Sequence, residues 1–140
     1  MPVYGFLFNL IYRGKQATAW VSVDASFGGF ALLGRVNDIM DGVPEGEVFP
    51  PVITPEAGEI LAREGVIRYI LRKRGAKPSV DDITQRMTFH TPVWVYYVRT
   101  IGGKMDLAVL DAYSGDAMGG LVRRAVVDAF ITRSQEKARA

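Results

Sequence analysis

Residues 92–116 read PVWVYYVRTIGGKMDLAVLDAYSGD, and residues 2–28 read PVYGFLFNLIYRGKQATAWVSVDASFG. Each stretch opens on Pro-Val-aromatic and runs through β-branched and aromatic residues to a Gly-Lys turn, at Gly103-Lys104 and at Gly14-Lys15. Each then ends its second run in Asp-Ala-x-x-Gly, at Asp111–Gly115 and Asp24–Gly28. In the earlier stretch Ala17, Ala19, Val21 and Val23 alternate with Gln16, Thr18, Trp20 and Ser22, the period of two that marks a half-buried strand. Both stretches therefore read as β-hairpins. Their likeness is read as a diverged duplication, with chance similarity of two hairpins as the alternative.

Outward from the hairpins, Gly28-Gly29 turns the chain into a third short run, Phe30 to Val36. Residues 38–54, acidic and proline-rich, form an irregular connection that is long for a single domain. Thr54-Pro55-Glu56 is a helix start, with a hydroxyl cap, proline at the first position and an acid in the first turn. Gly75 is the stop. On a helical wheel Ala57, Ile60, Leu61, Ile67 and Leu71 share one face, with Glu64 among them and Gly65 as an interior weak point of roughly 1 kcal/mol. Ile83 to His90, Val93 to Val98 and Met105 to Asp111 are strand-like, and a second helix is expected over 116–133 with a frayed tail behind it. Gly119-Gly120 is read as letting that helix start close against the sheet. The expected fold is α+β: one antiparallel curved sheet of five to seven strands with both helices on one face. The expected organisation is a single domain, 1–140, with hairpin repeats 2–36 and 55–133 joined by the 38–54 connection.

Composition narrows the chemistry. The 140 residues are 49% hydrophobic and 23% charged, which suits a folded domain and not a disordered chain. There is no cysteine, which excludes thiol catalysis, disulfides and every Cys-based metal site, and one histidine, which excludes multi-His metal centres. No apolar run is long enough to span a membrane and the first residues make a poor signal peptide, so the default compartment is the cytoplasm. The net charge of +2 hides an asymmetry: residues 1–62 carry three basic and seven acidic groups, residues 63–140 fourteen basic and eight acidic. The basic groups gather at Arg63–Lys77 and Arg123–Arg139. They read as solvated helix faces, so binding to a generic nucleic-acid duplex is expected to be weak or absent at physiological salt.

Three constellations carry possible chemistry. Glu64 and Arg68, with His90, are candidate ligand-binding residues at the polar end of a helix–sheet pocket; the plainer reading is an i,i+4 ion pair and a sheet-face histidine. No nucleophile elbow or phosphate-binding glycine loop accompanies them, so no catalytic residue, metal or cofactor is assigned. Asp111, Ser114 and Asp116 could form a cation loop, but the simpler role is a turn in which aspartate accepts N–H bonds from the residues that follow and glycine supplies the positive φ. The aromatic strands carry Tyr4, Phe6, Phe8, Tyr12, Trp94, Tyr96 and Tyr97, read either as sheet core or as a homodimer or partner interface, for which Tyr4, Phe6, Phe8, Trp94 and Tyr96 are singled out.

The second hairpin with the helix before it carries a family resemblance. An acid- and alanine-led amphipathic helix, then strands ending in Val-Leu-Asp-Ala-Tyr-Ser-Gly-Asp (Val109–Asp116), resembles a PepSY domain over residues 55–118, with Ser114 where the family usually has threonine. The resemblance implies an α-β-β-β unit, with the first half a reduced copy lacking its own leading helix. It implies a non-catalytic binding or protein-interaction module with no cofactor, of a kind found in peptidase propeptides and cell-envelope proteins. The alternative is a small ligand-binding protein or enzyme with a cystatin-like sheet, using Glu64, Arg68 and His90.

Overall fold

The computed structural model describes residues 1–34, 39–40, 42 and 46–139. Its elements are β1 (Pro2–Tyr12), β2 (Lys15–Asp24), β3 (Phe30–Leu32), α1 (Pro55–Arg74), β4 (Ser79–His90), β5 (Val93–Arg99), β6 (Met105–Asp111) and α2 (Gly120–Arg139). The protein is α+β with antiparallel sheets, and it divides into two compact units, Met1–His90 and Thr91–Ala140. The strands lie in a four-stranded sheet of order β3-β2-β1-β4 and a two-stranded sheet β5-β6, where the sequence predicts one sheet of five to seven. Val36, at the end of the expected third run, and Asp38, Asp41, Val43, Pro44 and Glu45 of the expected connection lie outside the described residues.

In the first unit the β1–β2 turn is Arg13-Gly14, with φ of 50° and 76°. Two successive positive φ values give the two-residue turn whose twist matches the flanking strands, and glycine takes the second without strain. β1 then runs antiparallel to β2 from Tyr12↔Lys15 back to Val3↔Asp24. Its other edge pairs with β4 from Pro2↔His90 to Ile11↔Ser79, the register shifting on both sides of Phe8. Alternation along β1 sends Tyr4, Phe6, Phe8 and Leu10 to one face, where they form the core with Val21, Val23, Ile83 and the α1 residues Ala62 and Val66. Full burial of a side chain such as Phe8 contributes roughly 1.5–3 kcal/mol.

Helix α1 is bounded by local chemistry. The Thr54 hydroxyl accepts the Ala57 N–H at 3.2 Å. At the other end Gly75 takes φ 72° and returns its N–H to the Leu71 carbonyl. The fully buried residues, however, are Gly58, Ala62 and Val66; of the row picked from the wheel Leu61 packs against the core, partly buried, while Ile60 and Leu71 do not. Ile60 is 61% exposed and Leu71 47%. Small residues win because the helix lies close: a Cβ at Gly65 would sit 2.3 Å from Phe30 Cδ2, and one at Gly58 2.8 Å from Tyr4 Cδ2. Gly65 is therefore a point of approach and not a weak point.

The second unit is simpler. β5 and β6 pair from Val93↔Asp111 to Arg99↔Met105 across a five-residue loop, Thr100–Lys104, closed by the Thr100 N–H on the Lys104 carbonyl at 2.8 Å. Helix α2 starts at Gly120, four residues later than predicted, because the preceding segment is still tied to the hairpin. The Asp111 N–H donates to the Asp116 carbonyl and the Met118 N–H to the Val109 carbonyl. It then continues to Arg139 through the tail expected to fray. Gly119 and Gly120 face open space, so they do not mark a close approach. α2 lies against β6, with Val126 its one buried residue among those described. Among the described residues no helix is long and apolar enough to cross a membrane.

Candidate interaction edge

The residues proposed for a pocket are not assembled into one. Glu64 and Arg68 are both exposed on the outer side of α1. Among the described residues the ion pair that α1 makes runs to the sheet, from the Arg86 guanidinium to the Glu59 carboxylate at 3.0 Å. His90 is half-buried at the end of β4, opposite Pro2. Burial, and behind it the amino-terminal ammonium, holds its imidazole below the usual histidine pKa. An open depression on α2 is lined by Phe130, Ile131, Ser134, Gln135 and Ala138, and none of the three candidates borders it. Among the described residues no group of three His, Cys, Asp or Glu comes together as a metal site.

Much of the basic run on α1 has structural work. Arg63 donates to the Val80 and Asp81 carbonyls at 3.3 and 3.2 Å, and its guanidinium lies over the Phe8 ring. Arg74 lies over Tyr12, whose hydroxyl donates to the Arg74 carbonyl at 3.0 Å. On β6, Asp106 pairs with Arg123 of α2 at 3.2 Å.

The two Asp-Ala-x-x-Gly segments fold the same way. Asp24 Oδ1 accepts the N–H groups of Ser26 and Phe27 at 2.8 and 3.3 Å; Asp111 Oδ1 accepts those of Tyr113 and Ser114 at 2.7 and 3.2 Å. Gly28 and Gly115 have φ of 81° and 78°, and each returns its N–H to the aspartate carbonyl at 2.8 Å. Two residues after Gly28 and Gly115 the chain re-pairs alike, with Val23 opposite Phe30 and Leu110 opposite Ala117. The Ala25 N–H donates to the Pro2 carbonyl and the Ala112 N–H to the Pro92 carbonyl, both at 3.1 Å.

That last bond fixes the phase of each ladder. Residues of an antiparallel pair alternate between bonding across and pointing away. With Pro92 bonded to Ala112, the polar backbone groups of Trp94, Tyr96 and Val98 turn to β6. Those of Val93, Val95, Tyr97 and Arg99 turn to the opposite edge. In β1 the same phase turns Val3, Gly5 and Leu7 outward, and there they meet Phe89, Met87 and Gln85 of β4. β5 has β6 as its sole partner among the described residues.

The side chains follow the same division. Of the five aromatic residues read as an interface, Tyr4, Phe6 and Phe8 are sealed in the first unit's core. Trp94 and Tyr96 are exposed on β5, at 58% and 48%. Tyr97, left out of that set, is 71% exposed and carries outward backbone groups. The signal that could have found it is the strand's apolar character on both faces, which leaves one face and one edge to be covered. Comparison with protein-family models, with curated proteins and with solved structures finds no match.

Proposed function

We propose that this protein is a non-catalytic protein-interaction module that receives an extended polypeptide by strand addition on β5. The observation that carries the reading is the open β5 edge, whose outward N–H and C=O groups at Val93, Val95 and Tyr97 are flanked by exposed Trp94 and Tyr96. Strand addition draws affinity from main-chain hydrogen bonds and specificity from alternate side chains, so it requires neither a pocket nor a cofactor. A two-stranded sheet is marginal in water and gains from a third strand. The resemblance of residues 55–118 to PepSY domains, read from sequence, implies a binding role of the same kind.

A displayed library of random decapeptides, selected on the full-length protein at low concentration, tests this. The expected result is enrichment of alternating aromatic and β-branched peptides whose binding is lost in Val95→Pro. Proline there removes an outward N–H while sparing the bonds to β6. No enrichment, or peptides that bind Val95→Pro equally well, overturns the reading.

A further inference from the structure

We propose that the polypeptide received at this edge is β5 of a second copy, so that two chains join as β6-β5-β5′-β6′ about a two-fold axis at Tyr96. The inference rests on the strand-addition reading and names its occupant. Its starting point is the first unit, where β1 occupies the place of β5, keeps the corresponding register with its hairpin partner, and carries an antiparallel strand on the other edge. A strand that fills the β5 edge in the same manner must run antiparallel, extend for about seven residues and itself offer unpaired backbone groups.

The strand edges of this protein differ in how well they admit such a partner. β4 is an edge strand, but it carries Asp81, Asp82 and Arg86. β3 is an edge of three residues. Charge and shortness are the usual devices that keep sheet edges from pairing. The outer side of β6 is engaged at its carboxyl end, where Val109, Leu110 and Asp111 meet Met118, Ala117 and Asp116. β5 carries such devices only at its ends: Val93 to Val98 contains no charge and no proline, between Pro92 before the strand and Arg99 as its last residue. The edge best suited to β5 is β5.

Its phase makes it self-complementary. The outward-bonding positions are Val93, Val95, Tyr97 and Arg99, and full antiparallel overlap pairs Val93 with Arg99′ and Val95 with Tyr97′. Tyr96 then faces Tyr96′ in a close, non-hydrogen-bonded pair, and Trp94 faces Val98′, covering side chains that are exposed in the single chain. The two Arg99 residues fall at opposite ends, roughly 20 Å apart at 3.4 Å per residue, beyond the ~8 Å screening length, so like charge does not oppose the pairing.

The absence of native cysteine gives a clean test. Tyr96→Cys in the full chain places two thiols within disulfide reach in the paired state. Ile101→Cys, in the exposed hairpin loop, controls for random collision. We expect wild type to sediment as a dimer and Tyr96→Cys to cross-link under mild oxidation well ahead of Ile101→Cys. Val95→Pro should keep its far-ultraviolet spectrum and dimerise about tenfold or more weakly, two backbone bonds being lost per dimer. If Val95→Pro fails to fold, the cross-linking comparison still decides. A monomeric wild type, or Tyr96→Cys cross-linking no faster than Ile101→Cys, overturns the inference. Should decapeptides still bind that monomer in a Val95→Pro-sensitive way, strand addition stands and the second copy alone is refuted; if neither dimer nor peptide binds, both fall.

Discussion

Two hairpins with one turn chemistry meet different fates here. β1-β2 is covered on its aromatic face and both edges: a helix lies on that face, β4 runs along the β1 edge, β3 meets Val21–Val23 on the β2 edge, and Phe8 has no exposed surface. β5-β6 has the corresponding register and the same aspartate-glycine bonds, but Trp94, Tyr96 and Tyr97 stand in solvent. The difference lies in what surrounds the pattern. Aromatic residues on a strand are core where a helix and a second strand arrive to cover them, and surface where they do not.

The sharpest way to break that contrast is truncation of one aromatic residue in each hairpin. Phe8→Ala opens a cavity in a sealed core and should cost about 3–5 kcal/mol in urea unfolding of the first unit. Trp94→Ala should cost under about 1 kcal/mol in the dilute protein, because the indole is already 58% exposed. Equal losses would mean that the two hairpins are covered alike. The glycines offer a second contrast. Ala is ordinarily the better helix former by about 1 kcal/mol. At Gly65, where a Cβ would meet the Phe30 ring at 2.3 Å, Gly65→Ala should instead destabilise by about 1–3 kcal/mol. Gly120→Ala, with open space around it, should be neutral or slightly stabilising by the same melt.

The turns should separate less. Asp111→Ala removes two backbone bonds and is expected to cost about 1 kcal/mol. Asp24→Ala should cost somewhat more, since the neighbouring Ala25 carbonyl also accepts the Val52 and Ile53 N–H groups that lead into α1. Added calcium should leave both melting temperatures unchanged; a rise abolished by Asp111→Ala would replace the turn with a cation site. The smallest effect is that of His90. Burial lowers its pKa in the folded state below 6.5, so between the two values the unfolded chain holds more protons and stability rises with pH. Melting temperature should therefore fall as pH drops below about 6.5 more steeply in wild type than in His90→Gln. Parallel curves would remove His90 from the pH response.

What could be read from sequence was what local chemistry decides. Thr54, Pro55 and Gly75 bound α1 because a cap, a fixed φ and a left-handed residue act within one turn of chain. The aspartate turns were legible for the same reason. The inward face of α1 was not, because a wheel weighted by large apolar residues favours Ile60 and Leu71, whereas close packing against Tyr4 and Phe30 selects Gly58, Ala62, Gly65 and Val66. The delayed start of α2 was hidden in bonds from Asp116 and Met118 back to the hairpin. Of the candidate interface, Trp94 and Tyr96 were legible as aromatic strand residues. The open edge was not, because which strand pairs with which depends on contacts distant in sequence: among the described residues β4 lies with β1 and leaves β5 with β6 alone.

The pairing of Pro2 with His90 has a further consequence, in time. β1 leaves the ribosome just ahead of β2 and finds it at once across a two-residue turn, an event of microseconds. Its other neighbour is the last element of the unit. At 5–20 residues per second, the stretch from Ala25 to His90 takes roughly three to thirteen seconds to synthesise. Until α1 and then β4 emerge, Tyr4, Phe6, Phe8 and Leu10 are carried on a nascent hairpin without the helix and strand that will enclose them. Contacts of such high order make folding slow and vectorial. During synthesis, the hairpin that ends as the protein's best-protected part is the one most in need of a chaperone.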